Sequence, residues 1–372
     1  VPTPQLSIGI EEEFQIIDPT TRELAAASQR LIDLSRARLK QEDIADELKP
    51  EFLQCQVEIG TKVCHTIGEA RDEIVRLRRF VSEVAQEAGL TFAAASTHPF
   101  SRWSNQQVTV ADRYSKLASD LKIVARRMVI FGMHVHVGID DPELRIDVLN
   151  QARYFLPHLL AISTSSPLWH GHETGLKSYR SVIFENMPRS GLPPAFRAWH
   201  HYQEFIDTLV RTGSIDEPSK IWWDIRPHSK YPTIEFRVCD VCTRVEETIC
   251  VAALIKALVA KLVKLRGSNQ SWRVYPHHLI EENKWRAMRY GLEGKLIDFG
   301  RKEEVPMRFL ALELLDLVDD VLDEQGVRKE VEYLHTILAQ GSSADRQLAT
   351  FRSSGDPREV VDQLIAESVA GV

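Results

Sequence analysis

Thr233-Ile234-Glu235-Phe236-Arg237-Val238-Cys239-Asp240 alternates apolar and polar residues with a period of two. That pattern predicts a β-strand with Ile234, Phe236 and Val238 on one face and Glu235, Arg237 and Cys239 on the other. Glu235 and Arg237 then stand on one side, about 7 Å apart at roughly 3.3 Å per residue. On an open surface such a pair is an ion pair worth at most about 1 kcal/mol. In a cleft it is a carboxylate able to hold a metal beside a guanidinium able to clamp a phosphate. The other charged strands of the chain decide between these readings.

Leu6–Ile17 reads as the first strand, turning at Asp18-Pro19-Thr20-Thr21 into a short return through Leu24–Ala26. It contains Glu11-Glu12-Glu13, which is unfavourable in a strand unless the charge is neutralised. Glu11 and Glu13 share a face and could each serve a different one of two neighbouring cations; a solvated acidic edge is the plainer account. In Glu51–Gly60, Gln54, Gln56 and Glu58 line one face. Glu51 lies seven residues before Glu58, so a bulge or a strand start near Pro50 is needed to bring both inward. Gly132-Met133-His134-Val135-His136-Val137-Gly138 places two imidazoles on one face and apolar residues on the other. Metal or phosphate contact is one reading of that pair, and the flanking glycines admit a ligand or another backbone. Ile221–Arg226 predicts a further strand, with Trp222, Asp224 and Arg226 on one face, forming a hairpin with Thr233–Asp240.

Helices are expected at Gln29–Arg38, Thr66–Gly89, Asp112–Arg127, Pro142–Ser165, Ala195–Arg211 and Arg244–Leu265, and nearly throughout after Gly267. Ser166–Pro194 reads as a long loop carrying Arg180, Glu185 and Arg189, and loops of that length are often functional. His98 at a strand exit and His170-Gly-His172 read as structural and solvated, respectively. Arg289-Tyr290-Gly291-Leu292-Glu293-Gly294-Lys295 lacks the spacing of a phosphate loop.

The chain has 372 residues, enough for a sizeable core. We expect a single catalytic domain, 1–372, with a helical part from about 268 to 372. Lys plus Arg total 46 against 53 Asp plus Glu, a formal net charge of -7 that gives no nucleic-acid footprint. Five cysteines in such a chain make no disulfide framework, and Cys239-x-x-Cys242 lacks a second pair at zinc spacing. No signal segment opens the sequence, and Val251–Leu265 is too short to span a bilayer and carries Lys256, Lys261 and Lys264. The expectation is a cytoplasmic protein with no membrane and no nucleic-acid partner; a homo-oligomer is left open.

Glu11/Glu13, Glu58, His134/His136, Trp222/Asp224/Arg226 and Glu235/Arg237 thus form polar faces on five strand segments. Burying these carboxylates together is expensive without cations. An oxygen-rich set with one or two imidazoles suits Mg²⁺ or Mn²⁺. Arginines beside such acids suggest phosphoryl transfer with ATP. A metal-dependent amide hydrolase also uses His-x-His, but on the first of eight strand–helix repeats, which are absent here. A non-catalytic nucleotide- or metal-binding homologue is the other alternative.

Taken together, Gly9-x-Glu11-x-Glu13, Gly132–Gly138, Trp223-Asp-Ile-Arg-Pro227, Thr233–Asp240 and Arg289–Gly294 resemble the type 2 glutamate–cysteine ligase family. These carboxylate–amine ligases belong to the wider glutamine synthetase-like superfamily, and the resemblance runs from about Leu6 to Glu367. It implies an α+β fold in which a curved antiparallel sheet, backed by helices, forms an open funnel holding ATP and divalent metals. It implies metal ligands at Glu11, Glu13, Glu51, Glu58, His134 and Glu235. It implies phosphate contacts at His136, Lys230 and Arg237, catalysis centred on Glu235 and Arg237, and substrate contacts at Arg226 and Arg180. The loop Ser166–Pro194 departs from the family's pattern, with Arg180 followed by Ser-Val-Ile-Phe. The implied reaction joins a γ-carboxylate, by default that of glutamate, to an amine such as cysteine through an acyl phosphate, as in the first step of glutathione biosynthesis.

Overall fold

The structure, a computed structural model, describes residues 4–42 and 48–372. Its centre is a seven-stranded antiparallel sheet: β1 (Ile8–Ile17), β2 (Leu48–Pro50), β3 (Gln56–Gly60), β4 (Thr91–Ala93), β5 (Met133–Gly138), β6 (Ile225–Pro227) and β7 (Thr233–Phe236). The order is β6-β7-β5-β1-β3-β2, with β4 paired to the end of β1. The fold is α+β, with helices packed against one face of the sheet and cavities open on the other.

Period two explains this arrangement. In β1, Ile8, Ile10, Phe14 and Ile16 turn to the core, joined by Val57, Ile59, Val135, Val137, Ile234 and Phe236 from neighbouring strands. Helices Ile67–Glu87 and Val245–Gly267 cover that face. The first begins at the Thr66 cap, whose side chain accepts from the Glu69 amide, and is followed by Gly89 in the left-handed region.

Glu12, the middle acid of β1, is the charged exception on the core face. It is fully buried and bonded to Arg78, itself fully buried on helix Ile67–Glu87. Arg78 Nε and Nη2 donate to the two carboxylate oxygens at 2.9 and 2.5 Å. Its remaining donors reach the carbonyls of Cys242, Thr243 and Ser368, and the Thr248 hydroxyl donates 2.7 Å to Glu12. One guanidinium therefore joins the first strand, two helices and the C-terminal helix. Every N–H of the guanidinium and both oxygens of Glu12 have partners, the condition under which a buried ion pair is tolerable.

Several elements differ from the sequence expectation. Asp112–Arg127 breaks at Lys122, which has φ 49°, into Asp112–Leu121 and Ile123–Arg126. Pro142–Ser165 divides into Pro142–Ala152, a 3₁₀ turn Arg153–Phe155 and Leu156–Ser163. Pro157 has no amide to continue the ladder there. The expected loop Ser166–Pro194 holds a short helix, Tyr179–Phe184. Ile221–Arg226 is not one strand: Trp222–Trp223 pairs in parallel with Ser190–Gly191, and only Ile225–Pro227 joins the main sheet. The break falls at Asp224, whose carboxylate turns to Lys284 Nζ at 2.6 Å and leaves the face of Arg226. The helical C-terminal part also contains a hairpin, Lys295–Asp298 with Glu303–Pro306.

The five cysteines are free and buried. His98 is structural: its Nδ1 accepts from the Phe100 and Ser101 amides and its Nε2 faces the Arg22 carbonyl. Burial takes its pKa down to about 3. No helix among the described residues is long and apolar enough to cross a membrane.

Removing Arg78 while Glu12 stays in place strands a charge in the core. Arg78→Met should lower the unfolding free energy by about 3–5 kcal/mol, read from urea titrations. Glu12→Leu combined with Arg78→Met should recover most of that loss.

Candidate active site

The opposite face of the sheet collects the acids and imidazoles. Register does the collecting: Glu13 stands across from Glu58, Glu11 across from His134, and Glu235 lies between His136 and Arg226. Glu51 arrives from the connection after β2, so the strand end at Pro50, not a regular strand, turns it inward. Two groups result. Glu13, Glu51 and Glu58 offer oxygens within 4.8 Å of one another, and Glu11, His136 and Glu235 form a second set on the same criterion.

The electrostatics of the two groups differ. Burial raises the pKa of Glu13 to about 7, and the charge of Glu58 adds to the effect despite Arg180 and Arg237. Burial and its acidic neighbours push Glu51 well above the usual carboxylate range, and burial raises Glu58 although Lys49 opposes it. In the second group burial is outweighed. Bonds and charge from His134 and His136 take Glu11 well below its ordinary value, and Arg237 and Arg226 do the same for Glu235. His134 falls to about 4 through burial and the charge of Arg237. His136 rises, because Glu11 and Glu235 overcome its burial.

Three carboxylates that repel one another are a donor set that fits a hard divalent cation. The second set fits as well, for His136 Nε2 is buried without a hydrogen bond, 3.5 Å from Glu11. His134 lies between these groups and the arginines: its Nδ1 is 3.2 Å from Glu11 and 3.4 Å from Arg237. It belongs to neither three-residue set, whereas His136, expected at the phosphate, belongs to one.

Arg237 donates to Glu235, and its Nε is buried with no partner. Arg180, on Tyr179–Phe184, donates to the Arg237 and Val238 carbonyls and also has an orphan Nε. Its approach requires Gly132, where a Cβ would lie 2.6 Å from the guanidinium. Asp240 seats the short helix, accepting from Ser166, Ser178 and the Ser165 amide. Arg180 and Arg237 line a cavity of about 140 Å³ with Glu13, Glu51, His134 and Trp222. A larger cavity of about 870 Å³ opens on the other side, lined by Glu11, Lys49, His136, Gly138 and Thr233.

Two expected contacts do not fit their assigned tasks. Arg226 is spent: Nε and Nη2 hold Glu235 at 2.7 and 3.2 Å, and Nη1 donates to the Ser219 and Ile221 carbonyls. It orients Glu235 and has too few donors left to clamp a substrate carboxylate. Lys230 is exposed in the β6–β7 turn and lines neither cavity described above. Conversely, Lys49 was missed. It faces Glu58 in register, with Nζ 3.1 Å from Glu58 and 3.9 Å from Glu11, between the two groups. A three-residue strand offers too little alternation to reveal this from sequence.

The fold is that of the glutamine synthetase-like ligases. It resembles the glutamate–cysteine ligase of Francisella tularensis, solved in complex with AMP, with a TM-score of 0.69, 15% identity, and 99% of this chain and 89% of that one covered. The ligase PafA, solved with the ubiquitin-like protein Pup, superposes at a TM-score of 0.52 with 9% identity, over 97% of this chain and 72% of that one. The model of glutamate–cysteine ligase family 2 matches residues 7–365, and the chain belongs to that family. A relative from Roseiflexus sp. RS-1 is 50% identical over 366 residues, 98% of this chain and 95% of its own. One from Herpetosiphon aurantiacus is also 50% identical, over 98% of this chain and 94% of its own. Both are provisionally named glutamate–cysteine ligase 2.

The raised acids predict proton-linked metal binding. A cation displaces protons from Glu13, Glu51 and Glu58, so Mg²⁺ or Mn²⁺ affinity should rise with pH through about 7. Titration calorimetry at pH 6.5 in buffers of different ionisation enthalpy should show about one proton or more released per binding event. Binding with no proton release would show that the three acids are already ionised.

Proposed function

We propose that the chain forms a γ-glutamyl amide from glutamate and an amine, with cysteine the default acceptor, while ATP is converted to ADP and phosphate. As a member of its family it is an ATP-dependent ligase that forms a carbon–nitrogen bond. The observation that carries the reading for this chain is a juxtaposition. Two groups of side chains able to hold a cation adjoin two buried arginines whose Nε–H groups lack partners.

The roles follow from the geometry. The 870 Å³ cavity is large enough for the nucleotide and meets the sites at Glu11 and His136. The 140 Å³ cavity suits the reacting end of a small acid, beside Arg180 and Arg237. Glu13, Glu51 and Glu58 would hold one Mg²⁺ or Mn²⁺, and Glu11, His136 and Glu235 a second, with His134 close enough to Glu11 to complete or orient that site. When bound, such cations offset phosphate charge and align the γ-phosphoryl group with its attacker.

The residues of the chain do the rest by position and charge. Arg237 directs its free Nε–H at the transferring phosphoryl oxygens while Glu235 fixes its guanidinium plane. Arg226 locks Glu235 from the other side. A carboxylate oxygen of the acid attacks the γ-phosphorus, the bond to ADP breaks, and an acyl phosphate remains. Arg180 stands where it can bond the acyl oxygen as charge develops. The amine nitrogen then attacks the acyl carbon, loses a proton, and phosphate departs. The apolar side chains lining the smaller cavity limit the water that could compete for the acyl group.

ADP release measured with glutamate, a panel of amines, and Mg²⁺ or Mn²⁺ tests the reading. Cysteine-dependent turnover is expected. Its absence with every acid–amine pair, despite nucleotide and metal binding, would favour a non-catalytic homologue, and amide cleavage without ATP would favour a hydrolase. Glu235→Gln should abolish metal-dependent ADP formation, and Arg237→Gln should leave nucleotide binding but lower kcat by about 100-fold or more.

A further inference from the structure

Another cavity, of about 460 Å³, lies against the turn between β6 and β7. Its walls come from helix Pro142–Ala152, helix Trp199–Arg211 and the His228–Pro232 turn. Arg145 lines it and is only 9% exposed. Its guanidinium makes no hydrogen bond or ion pair with any described residue, and its Nε is buried without a partner. It lies 5.0 Å over the Trp199 ring. A ring face steadies the cation and leaves the in-plane N–H groups unused.

An unpaired buried guanidinium is expensive for a fold to keep. Tyr202, Asp140 and Asp141 offset part of this cost from a distance, but none bonds the guanidinium. The Asp141 carboxylate is committed to the amides of Glu143 and Leu144 as a helix cap, and Asp140 is exposed and makes no ion pair with Arg145. Lys230 and His228 line the same cavity, against one acid, Asp207. The field inside is therefore that of a receptor for a negative group. Lys230 thereby gains a setting that the metal sites do not give it.

The cavity also touches the larger one. Tyr231 and Pro232 line both. The Tyr231 ring stacks on His228 at 4.8 Å and 10°, and His228 meets His136 edge-on at 5.3 Å. We propose that this cavity binds a small oxyanion, a carboxylate or a phosphate, on Arg145, and that its occupancy is felt in the nucleotide cavity through the His228–Pro232 turn. The anion draws Lys230 and the turn toward itself and away from the larger cavity. The coupling rests on the nucleotide assignment proposed above; the anion binding does not.

The full chain, free of metal and nucleotide, is titrated calorimetrically with inorganic phosphate and separately with succinate. One saturable site is expected for at least one of them. Arg145→Gln should weaken it about tenfold or more, and Arg237→Gln should leave it within about twofold. Preference for phosphate or for succinate identifies the source of the anion; either supports the site. No saturable binding, equal binding in Arg145→Gln, or loss in Arg237→Gln would overturn it. Arg145→Lys keeps the charge and serves if the Gln variant does not fold. Selenate-soaked wild-type crystals read the same point without substitution: an anomalous peak bonded to Arg145 supports the site, and peaks only elsewhere overturn it. In turnover assays the preferred anion should raise KM for ATP about fivefold or more in the wild type and not in Arg145→Gln. An equal rise in both would assign the effect to the metal sites and overturn the coupling.

Discussion

Like charge held at close quarters is the constraint that organises this molecule. β1 carries three consecutive acids, and a strand must send them to opposite faces. Glu12 goes inward to a fully paired Arg78. Glu11 and Glu13 go outward into a face that already holds Glu58, Glu51 and Glu235. One side answers its charge with a guanidinium built into the fold. The other answers only part of it, with Lys49, Arg226, Arg237 and two imidazoles, and the Glu13 group retains raised pKa values. Incomplete compensation on that face leaves a donor set that fits cations.

The arginines divide by whether their donors are used. Arg78 is saturated and Arg226 nearly so by carboxylates and carbonyls, and both act as framework. Arg180 and Arg237 each retain a buried, unpartnered Nε beside the acids, and so does Arg145 in a cavity of its own. Buried polar groups are almost always bonded, so an exception points to a missing partner. The same test separates His98, with both nitrogens engaged, from His136, with Nε2 free.

The rims of the cavities depend on elements with little regular structure. Arg180 reaches the sheet only because Tyr179–Phe184 is pinned by Asp240 and because residue 132 has no side chain. Glu51 enters just past the end of β2, and the β6–β7 turn separates two cavities. At Tyr179–Phe184 and in the β6–β7 turn, small shifts in backbone change the cavities without moving Glu13, Glu51 or Glu58.

The sequence by itself determined the central strands β1, β5 and β7 and which of their side chains share a face. Alternation is a local property, so Glu11 with Glu13, His134 with His136, and Glu235 with Arg237 could be grouped residue by residue. The order of these motifs also indicated the family, and through it the fold. What only tertiary structure decided was partnership. Register set Glu13 against Glu58 and Glu235 against Arg226, which consumed Arg226 and left Arg237 a free donor. A short strand brought Lys49 between the acids, and a broken strand took Asp224 to Lys284. Pairing across hundreds of residues depends on which donors are already satisfied by neighbours in space, and no local pattern records that.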